Sequence, residues 1–291
     1  MPLITLLQTH APLFIAVMGI LGLAVGSFLN VVAYRLPRML DAEWRRDCRA
    51  LLELGAQGTE TPPLNLMQPR SRCPECGHAI RPLENIPVLS WLFLRGRCSA
   101  CQAKIPLRYP IIESLTALST MAIAWRFGFG MQAPFAALLT WSLIAVSAID
   151  LDCQLLPDDI TLPFLWLGLL CNLFGLFTGL YSSVLGAACG YALLWSVYKL
   201  FKAVTGKEGM GYGDFKLLAM LGAWLGWSML PFIILASSAC GAIVGIGLMV
   251  LRGVPRSRPI PFGPYLAAAG WIALMWGPQV TAAYLRWAAA T

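Results

Sequence analysis

Long apolar runs, separated by short polar connections, leave this chain few folds to choose from. They lie at roughly 11–34, 112–130, 132–149, 160–179, 182–202, 215–230, 231–251 and 262–280. Most have the length a helix needs to cross ~30 Å of hydrocarbon. Only 12% of the 291 residues are charged and 58% are hydrophobic, whereas a soluble domain carries about 25% charged residues. Inside lipid the backbone must satisfy its own hydrogen bonds, which favours helices. The expected architecture is an all-α polytopic membrane protein with about eight transmembrane helices. The sixth run is short, and Pro231 marks its expected boundary with the seventh. The opening MPLITLLQTH has no basic segment of the kind that precedes a cleaved signal, so the first helix is expected to stay in the mature protein.

The basic residues set the expected orientation. Twelve Lys/Arg lie between Arg35 and Arg108; Lys199, Lys202, Lys207 and Lys216 form a second group, and Arg252, Arg256 and Arg258 a third. With eight crossings all three groups fall on one side, which basic loops make the cytoplasmic one, and both termini then face outward. The net charge of +7 thus reflects topology and anionic headgroups in the bilayer. No basic stripe interleaved with aromatics points to nucleic acid. All fourteen Asp/Glu fall on the same inferred side or at its boundary. Glu113, Asp150, Asp152, Asp158, Asp159 and Asp214 stand at or beside helix ends, where carboxylates near hydrocarbon are candidates for function.

The stretch 35–110 is long enough to form a domain outside the membrane. Its segment DAEWRRDCRALLELG (41–55) has one apolar helical face, and reads equally as a helix on the headgroups or as a surface helix of its own domain. A linker-like loop follows at 55–69. CPEC (73–76) and CSAC (98–101) then give two C-x2-C pairs, Cys73, Cys76, Cys98 and Cys101, at a spacing that predicts a tetrahedral four-cysteine zinc site. Gly77 and Gly96 allow tight backbone at these knuckles. Disulfides are the competing reading, and a reducing compartment disfavours them. Four thiolates leave no open position for water, so the expected metal is structural, although His78 could replace one ligand.

Counting excludes several chemistries. The two histidines are His10 and His78, so neither an HExxH metal site nor a Ser–His pair in the membrane is available. Walker A and GxGxxG patterns are absent. Carboxylates remain. Asp150, or its neighbour Asp152, ends the third run, and Asp214 begins the sixth at the same expected depth. Two close carboxylates share a proton, one acting as base toward water and the other as acid, and need no metal. Asp214 could also be a helix N-cap, as could Asp158 and Asp159. Asp150 cannot be explained by capping, because a negative charge at a helix C-terminus opposes the dipole. Gly209, Gly211 and Gly213 keep side chains off the backbone before Asp214, which would let an extended substrate approach.

GYGD (211–214) matches the GxGD motif of intramembrane aspartyl proteases. Together with AID (148–150), LPD (156–158), the paired CxxC knuckles, GSFLNVVAYRLP (26–37), RYPIIE (108–113) and IPFGPYLA (260–267), the chain resembles the type IV prepilin peptidases from its first helix to its last. The resemblance implies a bifunctional enzyme of the bacterial inner membrane. Such enzymes cleave the basic leader of prepilins and type II secretion pseudopilins after a glycine at the cytoplasmic face. They then methylate the new N-terminal residue, usually phenylalanine, with S-adenosylmethionine. It also implies that Asp150 and Asp214 are the peptidase pair and that the four cysteines are the family's tetrad. The implied organisation is a first transmembrane helix at 1–36, a zinc-binding loop domain associated with methyl transfer at 37–110, and a membrane-embedded aspartyl peptidase domain at 111–291. No Rossmann fingerprint locates the methyl donor. Gly26, Asn30 and Arg35 are a candidate location, against which Arg35 reads more simply as a positive-inside anchor.

Two other classes compete. A membrane aspartyl peptidase without transferase activity would not need the cysteine loop. A transporter or assembly scaffold would bind cations at its boundary carboxylates, but would carry interrupted helices at the midplane.

Overall fold

A computed structural model of the chain describes residues 3–52, 65–207, 209–253 and 260–290. The greater part of the expected linker at 55–69, together with Arg256 and Arg258, lies outside the described residues. The described residues are helical apart from loops and two isolated antiparallel bridges. Four helical segments are long and apolar enough to cross a membrane: Ala11–Leu51, Gln132–Cys153, Leu180–Thr205 and Trp227–Leu251. The chain divides into two compact units, Met1–Trp125 and Arg126–Thr291.

The first unit begins with a short α1 (Leu3–Thr9) and a 41-residue α2 (Ala11–Leu51). The first span and the separate helix expected from residue 41 are thus one helix, about 60 Å long, continuing through Pro37. After the described chain resumes come a 3-10 turn (Pro82–Asn85), α3 (Leu89–Phe93) and α4 (Arg108–Phe127). Gly22 and Gly26 let α2 press against α4: a methyl on Gly22 would lie 2.8 Å from Cα of Ala117, and one on Gly26 would lie 2.7 Å from Cα of Glu113. Small residues four apart are how helices pack closely where lipid supplies no hydrophobic drive.

The second unit holds α5 (Gln132–Cys153), α6 (Asp158–Leu173), α7 (Leu180–Thr205), α8 (Tyr212–Leu225), α9 (Leu230–Arg252) and α10 (Gly263–Ala290). Its centre is α8, whose Phe215, Leu217, Leu218, Met220, Leu221, Ala223 and Trp224 are fully buried. Helix α7 packs on α8 through Gly186 and Gly190, whose added methyls would strike the backbone of Gly222 and Leu218. Trp224 lies over Gly168 of α6, and its indole N–H donates to the Phe164 carbonyl at 2.7 Å. The expected break at Pro231 falls earlier. Helix α8 stops at Gly226, whose φ of +84° suits glycine, and Pro231 sits in the first turn of α9, where its missing N–H costs nothing.

The C-terminal end of α8 is pinned. Buried Asn172 donates to the carbonyls of Ala223 and Trp224 at 2.8 and 3.0 Å, and accepts the N–H groups of Phe177 and Thr178 at 3.0 Å. Ser183 donates to the same Ala223 carbonyl. Carbonyls that a helix end leaves without partners are satisfied there, and α8 is fixed at the end opposite Asp214.

Candidate functional site

Asp150 stands one turn from the end of α5, buried at 5% exposure, while Asp152 is exposed. The helix ends when Gln154 turns to left-handed backbone at φ 53° and its N–H returns to the Asp150 carbonyl at 2.9 Å. The Asp150 carboxylate is met by the first residue of α10: the Gly263 N–H donates to its Oδ2 at 2.9 Å. That N–H is one a helix leaves without an internal partner, and it lies at the positive end of the α10 dipole. The charge that its own helix opposes is therefore held by another helix.

Asp214 is the third residue of α8, behind an extended N-cap at Gly211. No side-chain bond caps this helix, so the N-cap reading gives way to a neighbouring one. Asp214 lies in the first turn, buried at 8% exposure, and the Gly211 backbone N–H faces its carboxylate. This is half of a capping box, the acid at N3 reaching back to the N-cap amide. The two aspartates share one neighbourhood: Gly263, which binds Asp150, and Gly213, which precedes Asp214, both lie against Leu156.

Asp158 and Asp159 follow the N-cap Pro157 and occupy the first turn of α6, so neither is the cap itself. Asp158 pairs with Lys216, whose Nζ donates to its two oxygens at 2.7 and 2.6 Å. The pair ties the start of α6 to the start of α8. The three glycines before Asp214 differ. Gly211 has open space where a side chain would stand, Gly209 faces the Phe201 ring, and a methyl on Gly213 would lie 2.7 Å from Cβ of Leu156. Gly263 and Leu156 lie in IPFGPYLA (260–267) and LPD (156–158), motifs whose letters alone mark neither as part of the site.

In the first unit the sulfurs of Cys73, Cys76, Cys98 and Cys101 all lie within 4.8 Å of one another, with Cys73 and Cys101 3.7 Å apart. A tetrahedron with ~2.3 Å zinc–sulfur bonds has edges of about 3.8 Å, so the cluster fits zinc. None of these cysteines is in a disulfide. The two knuckles repeat one design. Gly77 donates to the Cys73 carbonyl and Cys73 to that of His78, as Gln102 does to Cys98 and Cys98 to Ala103. The turn residues are Gly77 at φ 71° and Gln102 at φ 62°. The second knuckle therefore turns on Gln102. Gly96, at φ 67°, lies outside that turn and packs against the Trp91 ring.

Backbone N–H groups of Cys76 and Glu75 lower the Cys73 thiol to about 7, and those of Cys101 and Ala100 lower Cys98. At Cys101 the Ala103 N–H also lowers the thiol, but its contacts with Cys76, Cys73 and Cys98, together with burial, push it up to about 12. Four thiols without a cation cannot all ionise, and a divalent metal removes that conflict. His78 is not among the clustered donors. Its Nε2 lies 3.2 Å from Glu84 and 3.4 Å from Ser99, and so braces one knuckle against the other.

Gly26, Asn30 and Arg35 are engaged within the first unit. Gly26 lies against α4, Asn30 donates to the Gly26 and Tyr109 carbonyls, and buried Arg35 donates to those of Asn65, Leu66 and Pro69. Within the first unit these three residues pack and brace the chain. Glu113 is engaged as well: its carboxylate accepts the Val88 N–H at 2.7 Å.

Comparison with known proteins gives two family matches. One, described as the bacterial peptidase A24 N-terminal domain, covers residues 20–127; the other, described as the type IV leader peptidase family, covers residues 137–246. A Pseudomonas aeruginosa protein named prepilin leader peptidase/N-methyltransferase is 56% identical over 99% of each chain. Proteins of the same name from Aeromonas hydrophila and Dichelobacter nodosus are 57% identical over 94% of each chain and 49% identical over 94% of this chain and 95% of theirs. No solved structure matches the chain.

Proposed function

The chain belongs to the type IV leader peptidase family, and on that footing we propose that it is a prepilin leader peptidase and N-methyltransferase whose cleavage step runs through Asp150 and Asp214. The observation that carries the dyad is its geometry: two buried carboxylates, from the end of α5 and the start of α8, are flanked by Gly263 and Gly213, which both pack on Leu156. The pair holds one proton between them. The ionised member takes a proton from water as the water attacks the peptide carbonyl, and the protonated member gives its proton to the developing oxyanion. The first member then passes the proton it took to the leaving amine as the C–N bond breaks, and the second recovers a proton from the diol. Gly211 and Gly213 support the site differently: Gly211 leaves room for an extended substrate, and Gly213 admits Leu156.

The substrates on this reading are prepilins and type II secretion pseudopilins, cut after glycine, and S-adenosylmethionine donates the methyl group to the new N-terminus. Zinc held by Cys73, Cys76, Cys98 and Cys101 fixes the fold of the loop domain at 37–110, which serves methyl transfer, while 111–291 serves cleavage. The chain sits in the bacterial inner membrane with eight crossings, the four long helices joined by α4, α6, α8 and α10. Its termini are periplasmic and its dyad lies at the cytoplasmic face.

The test is one incubation of the purified protein with a prepilin and labelled S-adenosylmethionine. Leader removal with label on the new N-terminal residue is the expected result. Cleavage without label would leave a peptidase alone, and the absence of both cleavage and label transfer would refute the proposal.

A further inference from the structure

Leu156 sits between the two segments that carry the aspartates. It belongs to the four-residue connection Gln154–Pro157 between α5 and α6, and is buried while Gln154 is exposed. On one side its Cβ lies 2.7 Å from where a methyl on Gly213 would be, immediately before Asp214. On the other, its Cδ2 lies 3.0 Å from a methyl placed on Gly263, a position only 2.7 Å from Asp150 Oδ2. One leucine side chain therefore fills the space against the backbone flanking both carboxylates. It is held there from both ends. Left-handed Gln154 and buried Pro157 bracket the connection, and the Asp158–Lys216 pair fastens its far side to α8.

A peptide cleaved by the dyad must bring its carbonyl carbon to both carboxylates. The Cβ of the residue that owns this carbonyl lies about 2.5 Å from the carbonyl carbon by standard bond lengths and angles. A side chain at that residue consequently projects into the immediate surroundings of the dyad, where Leu156 stands. Resting on the peptidase reading above, we propose that Leu156 is a specificity-determining residue: it closes the space beside the dyad and so restricts the residue before the cut bond to glycine. The close fit of Leu156 against two glycines leaves it no room to withdraw toward Gly213 or Gly263.

The experiment sets two full-length prepilins, differing only in Gly or Ala before the cut bond, in competition for the purified protein. Wild type, Leu156→Val and Leu156→Ala are compared by mass spectrometry. Discrimination against one methyl group is worth roughly tenfold or more in a well-fitted pocket. The Gly-to-Ala preference is expected to fall by about that factor in Leu156→Ala and by less in Leu156→Val. A preference unchanged within about twofold, in whichever variant still cuts the Gly substrate, overturns the proposal. So does loss of Gly cleavage in both variants with no gain on Ala, because trimming a wall should leave the dyad working. Failure of the wild type to cut either substrate would instead refute the peptidase reading.

Discussion

The Gly263 N–H at the start of α10 donates to Oδ2 of Asp150 near the end of α5, across 113 residues of sequence. The contact places a carboxylate that its own helix dipole opposes under the control of another helix. It is also tight. A methyl on Gly263 would come within 2.7 Å of that oxygen, closer than real Cβ contacts allow, and within a tight 3.0 Å of Leu156. Gly263→Ala should therefore lower the rate of leader cleavage by at least about tenfold, since small displacements of a reacting group are costly. The protein should still insert, and label transfer to a pre-cleaved pilin should be less affected. Measuring both activities on one preparation checks this.

The Asp158–Lys216 pair should act on positioning more than on stability. Asp158 is half exposed, so solvent screens the pair, and a double-mutant cycle with Asp158→Asn and Lys216→Met should give a coupling of about 1 kcal/mol or less in unfolding. The same cycle read in kcat should show a larger coupling, because both residues hold the walls of the dyad. Equal coupling in the two readouts would mean the pair is only a surface ion pair.

Much of this arrangement is legible in the sequence, for reasons that can be named. The cysteines are readable because a zinc site imposes spacing within each knuckle, and Asp214 because glycines and an apolar run frame it. Asp150 and Asp152 look alike by charge and position; the AID motif points to Asp150 through the family resemblance, and burial separates the two in the structure. Gly263 and Leu156 escape notice because one acts through its backbone N–H and the other through shape, and neither leaves a pattern at fixed spacing. Pro231 attracts attention as the breaker between α8 and α9, yet a proline in the first turn of a helix breaks nothing. Gly226 ends α8 because that backbone requires positive φ.

Val88 carries a strained backbone, with φ 62° and ψ −48° closed by a Leu89 N–H to Pro87 carbonyl bond of 2.6 Å. This is a γ-turn of the rare positive-φ kind, at a β-branched residue. Glu113 holds it by accepting the Val88 N–H. Glu113→Ala should speed amide exchange across residues 86–94 by about an order of magnitude, whereas Val88→Gly, free of the strain, should keep exchange near the wild-type level. Hydrogen exchange by mass spectrometry distinguishes the two variants.

Zinc uptake should strengthen as pH rises. Metal and protons compete for the sulfurs. The Cys73 thiol, lowered to about 7, is mostly protonated below that pH and mostly ionised above it, whereas Cys101 at about 12 must lose its proton to the metal throughout. Zinc affinity, measured against a competing chelator, should accordingly be higher at pH 8 than at pH 6. Cys73→Ser should lower metal content and impair methyl transfer or stability more than cleavage. Freshly purified protein without zinc would contradict the assignment.

The dyad itself is tested most directly by Asp150→Asn and Asp214→Asn in purified protein acting on a prepilin. Removing a general acid or base slows a reaction by a factor on the order of 10²–10⁴. Each substitution is expected to reduce leader cleavage to that extent while the protein still inserts and binds zinc. Near-normal cleavage by either variant would contradict the account.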